Sequence, residues 1–154
     1  MTPAWSIRPY RPGDCPALLA VFRRSVYGLC HREYSPRQLD AWAGAAANLG
    51  QWEQSLAAHH TLVAESGGQA VGFADLTAAG YLDHLYIHPQ YTRQGIASAL
   101  CRQLEAECRA PRLTTHASLT ARPFFVSQGY AVVHREEVER CGVLLPRFYM
   151  EKRR

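Results

Sequence analysis

The fold is decided by the stretch Tyr81-Leu82-Asp83-His84-Leu85-Tyr86-Ile87-His88-Pro89, which runs into Thr92-Arg93-Gln94-Gly95-Ile96-Ala97-Ser98-Ala99-Leu100. Its first part predicts a strand, and its second part predicts a tight basic loop and the first turn of an amphipathic helix. The apolar residues Ile96, Leu100 and Leu104 recur at the spacing of one buried helix face. The first N–H groups of a helix lack partners inside it, and the helix dipole adds positive charge beside them. The loop therefore predicts a binding site for a phosphate group.

The loop differs from two better-known phosphate loops. It lacks the Gly-Lys-Ser/Thr ending of the nucleotide triphosphate loop, and it lacks the three glycines and downstream carboxylate of a dinucleotide fold. Gly95 and Ala97 carry almost no side chain, so a diphosphate can lie directly on the backbone amides. Arg93 and Gln94 can then reach around it with charged and polar groups.

A second motif follows downstream: Ser118-Leu119-Thr120-Ala121-Arg122-Pro123-Phe124-Phe125-Val126-Ser127-Gln128-Gly129-Tyr130. It predicts a short helix, with Thr120 as the cap and Pro123 in the first turn. Gly129 is expected to end this helix in a left-handed conformation.

The remaining chain predicts a regular order of elements. Helices are expected after the capping residue Asp14, from the capping box at Ser35, and from Gln51 to His59. Strands are predicted at Ser6 to Tyr10, Thr61 to Glu65, Ala70 to Leu76, Tyr81 to Ile87, Leu113 to Ala117, Ala131 to Val138 and Val143 to Met150. A helical crossover joins the Tyr81 and Leu113 strands, so these two should be parallel. The prediction is one α/β (α+β type) domain over residues 1–154, with a mixed, mostly antiparallel seven-stranded sheet flanked by helices.

The two motifs and this element order resemble the GNAT superfamily of acyl-CoA-dependent N-acetyltransferases. The loop is similar to the superfamily's coenzyme A pyrophosphate loop, Gln/Arg-x-x-Gly-x-Gly/Ala, with Thr92 at the first position. The late motif is similar to Asn-x-x-Ala-x-x-Phe-Tyr-x-x-x-Gly-Phe/Tyr, with Ser118 in place of Asn and Phe125 in place of Tyr. The spelling Tyr34-Ser35-Pro36-Arg37-Gln38-Leu39 with Trp42 resembles the YafP-like bacterial subgroup.

The resemblance implies a sheet splayed between its fourth and fifth strands and acetyl-CoA as the acyl donor. It implies coenzyme contacts at Leu85, Tyr86, Ile87, Thr92, Arg93, Gln94, Gly95, Ile96, Ala97, Ser98, Phe124 and Phe125. The acceptor would be a small-molecule or peptide amine that attacks the thioester directly in a ternary complex without a metal. The acceptor pocket would be built from the first two helices and the last hairpin, where Tyr34, Trp42 and Trp52 are either pocket or core residues.

The catalytic residues are less well indicated than the coenzyme loop. Tyr81 stands where many family members carry a Glu, and Asp83 shares its strand face if no bulge intervenes. Asp83 is therefore the candidate base, although it could instead be a structural partner of an Arg or an amide. Simple alternation places His84 on the opposite face. Phe125 removes the hydroxyl that many members use as an acid, which leaves Ser118, Tyr149, water, or departure of an unprotonated thiolate.

The composition narrows the function classes. A net charge of +4 with dispersed arginines falls short of the clustered basic face of a nucleic-acid binder. Five scattered cysteines without a Cys-x-x-Cys pair indicate neither disulfides nor a metal site. No apolar run approaches the length of a membrane span, so a cytoplasmic protein is expected. We expect a monomer or a homodimer. The alternative to an enzyme is a non-catalytic acyl-CoA-binding regulatory module.

Overall fold

The computed structural model describes residues 4–44 and 48–154. The strands are β1 (Ser6–Pro9), β2 (His60–Ser66), β3 (Gln69–Leu76), β4 (Tyr81–Ile87), β5 (Arg112–Ser118), β6 (Ala131–Arg140) and β7 (Val143–Arg153). The helices are α1 (Cys15–Leu29), α2 (Pro36–Leu39), α3 (Leu49–Ala58), α4 (Ile96–Ala106) and α5 (Arg122–Ser127), with a π-helical turn at Asp40–Gly44 and a 3₁₀ turn at Pro89–Tyr91. Along the described chain, no helix is long and apolar enough to cross a membrane.

The strands form one seven-stranded sheet in the order β1-β2-β3-β4-β5-β7-β6. The pair β4 and β5 is parallel, and the other neighbouring pairs are antiparallel. The predicted mixed, mostly antiparallel α/β sheet is therefore confirmed. The parallel pair follows from its connection, because only a crossover such as α4 returns the chain to the same end of the sheet.

Two hydrophobic clusters lie on the two faces of the sheet. On one face, α4 buries Ile96, Leu100 and Leu104, as its periodicity predicts, against β-strand residues. On the other face, α1 buries Leu18 and Val26 in a cluster that includes strand residues of β2 and β3. Each such aliphatic side chain contributes about 1.5–3 kcal/mol when it leaves water. This α1 face carries the candidate site.

Capping followed the prediction at one helix and not at two others. The Ser35 hydroxyl accepts from the Gln38 N–H at 3.1 Å, and the Gln38 side chain accepts from the Ser35 N–H at 2.9 Å, which is the predicted capping box. Asp14 does not cap α1, because its carboxylate binds the guanidinium of Arg8. Thr120 does not cap α5 either, since its hydroxyl bonds to a glutamate on the α1–α2 connection.

A bulge in β4 changes which side chains share a face. Asp75 of β3 pairs with His84, and the next residue Leu76 pairs with Leu82, so Asp83 is an extra residue in β4. The regular alternation is interrupted there, and Asp83 and His84 both face the α1 side, where they line the same cavity. The prediction that His84 faces away is therefore wrong, and its physical reason is the bulge.

The predicted splay between β4 and β5 is present. Their ladder contains Tyr81 opposite Thr114 and Leu82 opposite Thr115, and it ends there. Beyond that point β5 continues to pair with β7 through Ser118. The rest of β4 thus diverges from β5 and leaves room between the strands.

Candidate active site

A cavity of about 420 Å³ opens where β4 and β5 diverge. Its volume lies within the roughly 300–1,000 Å³ that is typical of small-molecule sites. It is lined by Phe22, Tyr34, Ala41, Trp42, Trp52, Tyr81, Asp83, His84, Tyr86, His116, Ser118, Val138, Arg140, Cys141, Leu145, Pro146 and Arg147. Helices α1 and α3, the π-helical turn after α2, the divergence of β4 from β5 and the β6–β7 hairpin all contribute lining residues.

One wall of the cavity is aromatic. The Phe22 ring lies 5.0 Å from the Trp52 ring and 4.8 Å from the Tyr86 ring, centroid to centroid. Tyr34 and Trp42 continue this wall with their rings 5.3 Å apart. Such tilted and edge contacts stabilise packed rings, so the wall is a preformed apolar surface. Tyr34, Trp42 and Trp52 thus line the cavity and pack with the core as well.

Tyr34 connects three segments of the chain, a role that the sequence alone did not indicate. Its hydroxyl donates to the Pro146 carbonyl at 2.6 Å and accepts from the Leu119 N–H at 3.0 Å. Burial raises the pKa of Tyr34 to about 12. The phenol is therefore a fixed bridge between the α1–α2 connection, the loop after β5, and β7.

The polar floor of the cavity rests on a buried carboxylate. Asp75 has 0% relative exposure, and its two oxygens lie 2.7 Å from Nδ1 of His59 and 2.9 Å from Nδ1 of His84. Burial opposes the charge on Asp75, but these two hydrogen bonds outweigh it and lower the pKa of the carboxyl. The hydrogen bond to Asp75 raises the pKa of His59. Burial works against the charge on His84, yet the same carboxylate raises the pKa of that imidazole as well.

Asp83, the predicted base, lies beside this group without joining it. Its carboxylate is 3.7 Å from Nδ1 of His84 and 3.9 Å from Nδ1 of His59, and its side chain is 30% exposed. The ligand atoms of His59, Asp75 and Asp83 lie within 4.8 Å of one another. The contacts of His59 and His84 with Asp75 have hydrogen-bond lengths, so these three side chains form a hydrogen-bonded network.

The opposite wall is basic and aromatic. The Tyr81 hydroxyl lies 2.7 Å from Nδ1 of His116, so the residue at the family's Glu position bonds to a histidine of β5. Burial and then the nearby Arg147 lower the pKa of His116, which favours the neutral imidazole. Arg147 is itself held by Glu136 through two hydrogen bonds of 3.0 and 2.9 Å. The cavity therefore has a side with the carboxylates of Asp75 and Asp83, and an opposite side with the neutral His116 and the paired Arg147.

The two candidate acids occupy different places. Ser118 lines the cavity, and its hydroxyl accepts from the Ala121 N–H at 3.0 Å. Tyr149 is not among the residues that line it, and its ring packs 5.2 Å from His116 and 5.4 Å from His134. Ser118 thus lines the same cavity as Asp83 and His84, whereas Tyr149 packs against His116 and is not part of the lining.

The predicted phosphate loop has the backbone of a helix start. Gly95 is the residue before α4, with φ of +84°, and Arg93 also has a positive φ of 60°. The first bond of the helix joins the Ala99 N–H to the Gly95 carbonyl at 3.0 Å, so the preceding N–H groups of the turn point out of the helix. A Cβ atom at Gly95 would meet no neighbouring atom within 4 Å. Thr92 donates to the Pro89 carbonyl at 3.3 Å, which ties the loop to the end of β4.

The other expected coenzyme residues divide between two environments. Ile96 is buried under the loop, while Gln94 is exposed and Ala97 and Ser98 are half-buried. On β4, Tyr86 lines the cavity, whereas Leu85 and Ile87 pack in the cluster beneath α4. Phe124 is half-buried, and Phe125 is only 3% exposed and packs against the Tyr130 ring. Their contacts with a coenzyme stay predictions.

The comparison with known proteins identifies the family. The acetyltransferase (GNAT) domain family matches residues 30–153. The uncharacterized N-acetyltransferase YafP of Escherichia coli K12 is 40% identical over 147 residues, which cover 94% of this chain and 93% of that protein.

Solved structures agree with this assignment. A GCN5-related N-acetyltransferase structure from Rhodopseudomonas palustris, also described as a class-II aminotransferase, is 34% identical with a TM-score of 0.93, over 100% of this chain and 97% of that one. The PaiA N-acetyltransferase of Thermoplasma acidophilum, solved in complex with coenzyme A, shares the fold with a TM-score of 0.79 at 20% identity, over 100% of both chains. The chain belongs to the GNAT family of acetyltransferases, and within it the chain is YafP-like.

Proposed function

We infer that the protein transfers the acetyl group of acetyl-CoA to a primary amine by direct attack in a ternary complex. The observation that carries this proposal is the continuity between two features. The phosphate loop before α4 follows directly from β4, and the divergence of β4 from β5 opens the cavity. The PaiA relative of the same fold binds coenzyme A, which supports an acyl-CoA in this chain as well.

The two ends of the coenzyme would bind to different parts of the protein. Its pyrophosphate would lie on the outward N–H groups of the Gly95 turn, where the helix dipole favours negative charge. Its thioester would reach the splayed part of β4, where backbone N–H groups can polarise the acetyl carbonyl. The amine would enter from the cavity, with its apolar body against the wall that contains Phe22 and Trp52.

The bulge in β4 places two side chains at the cavity that can accept a proton from the amine. An amine is protonated at neutral pH and must lose a proton before it attacks. Asp83 and His84 are the titratable groups that the bulge brings to the cavity, and either can receive that proton. The leaving thiolate of coenzyme A has an ordinary pKa of about 8.5 and can depart without a dedicated acid. Ser118 or water can supply its proton, and Phe125 cannot.

The proposed function is tested by a measurement of product formation in solution. The protein is incubated with acetyl-CoA and single primary amines, including arylalkylamines, polyamines, amino acids and short peptides, and the N-acetyl products are measured by mass spectrometry. This readout avoids thiol reagents, which would also react with the exposed thiol of Cys141. Formation of an N-acetyl product supports the proposal. Tight binding of acetyl-CoA without product for any amine would favour the non-catalytic acyl-CoA-binding module instead.

We place this reaction in a reducing compartment such as the cytoplasm. All five cysteines are free, and Cys15, Cys30 and Cys101 are buried. Free thiols persist where the cell keeps them reduced.

A further inference from the structure

We propose that His84 is the general base of this transfer and that Asp75 is the positioning residue that holds its imidazole. The proposal rests on the function inferred above and deepens it. The residue that accepts the proton is then His84, and not Asp83, which the sequence indicated as the candidate base.

The hydrogen bond to Asp75 fixes the tautomer of His84. An ionised carboxylate only accepts, so Nδ1 of His84 carries the hydrogen in the 2.9 Å contact with Asp75. The neutral ring then holds its lone pair on Nε2. Across residues 4–44 and 48–154, no buried side-chain nitrogen or oxygen lacks a hydrogen-bond partner, and His84 bonds through Nδ1. Nε2 is therefore open to the cavity that the ring lines.

The ring of His84 is also held from its face. Trp52 stacks on it with the centroids 4.6 Å apart and an angle of 27° between the planes. A carboxylate at one edge and an indole on one face leave the imidazole little freedom to rotate. This arrangement is the base-and-orienter geometry that general-base histidines require.

Asp83 lacks this support. Its nearest cationic partners are 3.7 and 3.9 Å away, beyond hydrogen-bond length, and 30% of its side chain is exposed. Imidazoles in general hold a proton more strongly than carboxylates, which makes them better matched to an amine near neutral pH. The charge of Asp83 at the cavity instead attracts the incoming ammonium group.

The groups that face His84 act in opposite directions on its proton affinity. Asp75 from β3 and Asp83 from β4 raise the pKa of His84, whereas burial and the charge of His59 at the end of α3 lower it. Tyr86 contacts the cluster with its ring 6.2 Å from that of His84. His59 donates to the second oxygen of Asp75 and so holds the carboxylate in place.

His84 Nε2 takes one proton from the bound ammonium, and the freed nitrogen lone pair forms a bond to the thioester carbonyl carbon while the carbonyl π electrons move to oxygen. When the carbonyl re-forms, the C–S bond breaks and its electron pair leaves on sulfur. The second nitrogen proton passes to the sulfur, and His84 releases the first to solvent. Ammonium and acetyl-CoA thus give the amide, coenzyme A and one proton.

The test measures kcat against pH with the best amine of the panel. In the wild type, kcat should rise with pH through a midpoint above the ordinary imidazole value of about 6.5, because His84 must be neutral to act. His84→Gln should lower kcat about 100-fold, leave the affinity for acetyl-CoA unchanged, and remove that midpoint. Asp75→Asn should move the midpoint to lower pH, since the carboxylate that raises it is gone. Added imidazole should partly restore the rate of His84→Ala.

Matched variants separate the alternatives. His31→Gln, a substitution of an exposed histidine that does not line the cavity, should leave the rate and the pH profile unchanged. Asp83→Asn should raise the KM for the amine and keep a midpoint, which moves to lower pH because the charge of Asp83 also raises the pKa of His84. A folded His84→Gln protein with the wild-type rate and midpoint would overturn the inference, as would loss of the midpoint in Asp83→Asn alone. If Asp75→Asn does not fold, the His84 variants decide. Failure of the wild type to acetylate any amine would refute the proposed function itself.

Discussion

The substitution Gly95→Glu tests the phosphate loop, and the structure sets the size of its effect. A Cβ atom at Gly95 would meet no neighbouring atom within 4 Å, so the position has room for a larger residue, and we expect its carboxylate to lie beside the pyrophosphate. Two unit charges about 4 Å apart repel by about 1 kcal/mol even in water. A diphosphate carries about two charges, so binding should weaken by about 2 kcal/mol, which is roughly 30-fold in Kd. Isothermal titration calorimetry with coenzyme A measures this, and the loss should shrink at high salt.

The positive φ of Gly95 requires controls for backbone strain. Any other residue there pays about 1–2 kcal/mol, but this strain is present in the free and bound protein alike and cancels in Kd. Gly95→Ala should therefore bind coenzyme A almost as well as the wild type. Gly68 has a φ of +79° and equally open surroundings on the β2–β3 turn, so Gly68→Glu adds the same strain and charge elsewhere. Unchanged affinity in Gly95→Glu, or an equal loss in Gly68→Glu, would refute the assignment of the loop.

Three further expectations concern the acid, the hydroxyl bridge and the buried network. Phe125→Tyr should leave the affinity for the coenzyme unchanged and the rate equal or higher. It should lower the free energy of unfolding, because the new hydroxyl would be buried at a position that is 3% exposed. Tyr149→Phe should hardly change kcat, and a collapse of turnover in that variant would place the acid on β7. Tyr34→Phe should lower the free energy of unfolding by about 1–3 kcal/mol in urea titrations, since a buried carbonyl and N–H lose their partner; an unchanged denaturation midpoint would contradict this. The stability difference between the wild type and Asp75→Asn should be largest at roughly pH 5–6, between ordinary carboxyl and imidazole values. It should fall as pH rises through the raised pKa values of the two histidines, and fall again as pH drops through the lowered pKa of Asp75; a difference independent of pH would exclude the charged network.

The fold and the backbone of the loop before α4 were predictable because their signals are local. The helix after Gly95 has a regular apolar period, the turns have their glycines, and the capping box of Ser35 lies within four residues. The parallel pairing of β4 and β5 follows from the length of the crossover. These features depend on residues close together in the chain, and so the sequence reveals them.

The polar network was not predictable in the same way. Whether β4 contains a bulge depends on its pairing with β3, and the sequence of β4 alone does not show which residue is extra. His59 comes from the end of α3, and only the folded sheet brings it to Asp75. One signal was available: Asp75 interrupts an apolar strand that runs through Phe73 and Leu76, and a buried carboxylate needs partners. Both histidines are those partners.

Because Asp83 is the extra residue of the bulge in β4, its negative charge could be removed without changing the rest of the strand. In β4, Tyr81 faces the cavity, Leu82 faces α4, and Asp83 and His84 both face the cavity. Deletion of Asp83 would join Leu82 directly to His84, which restores regular alternation and a continuous ladder with β3. Every other side chain would keep its face. The charge of the cavity could therefore be changed by deletion of one residue, with the remaining side chains of β4 kept on their faces.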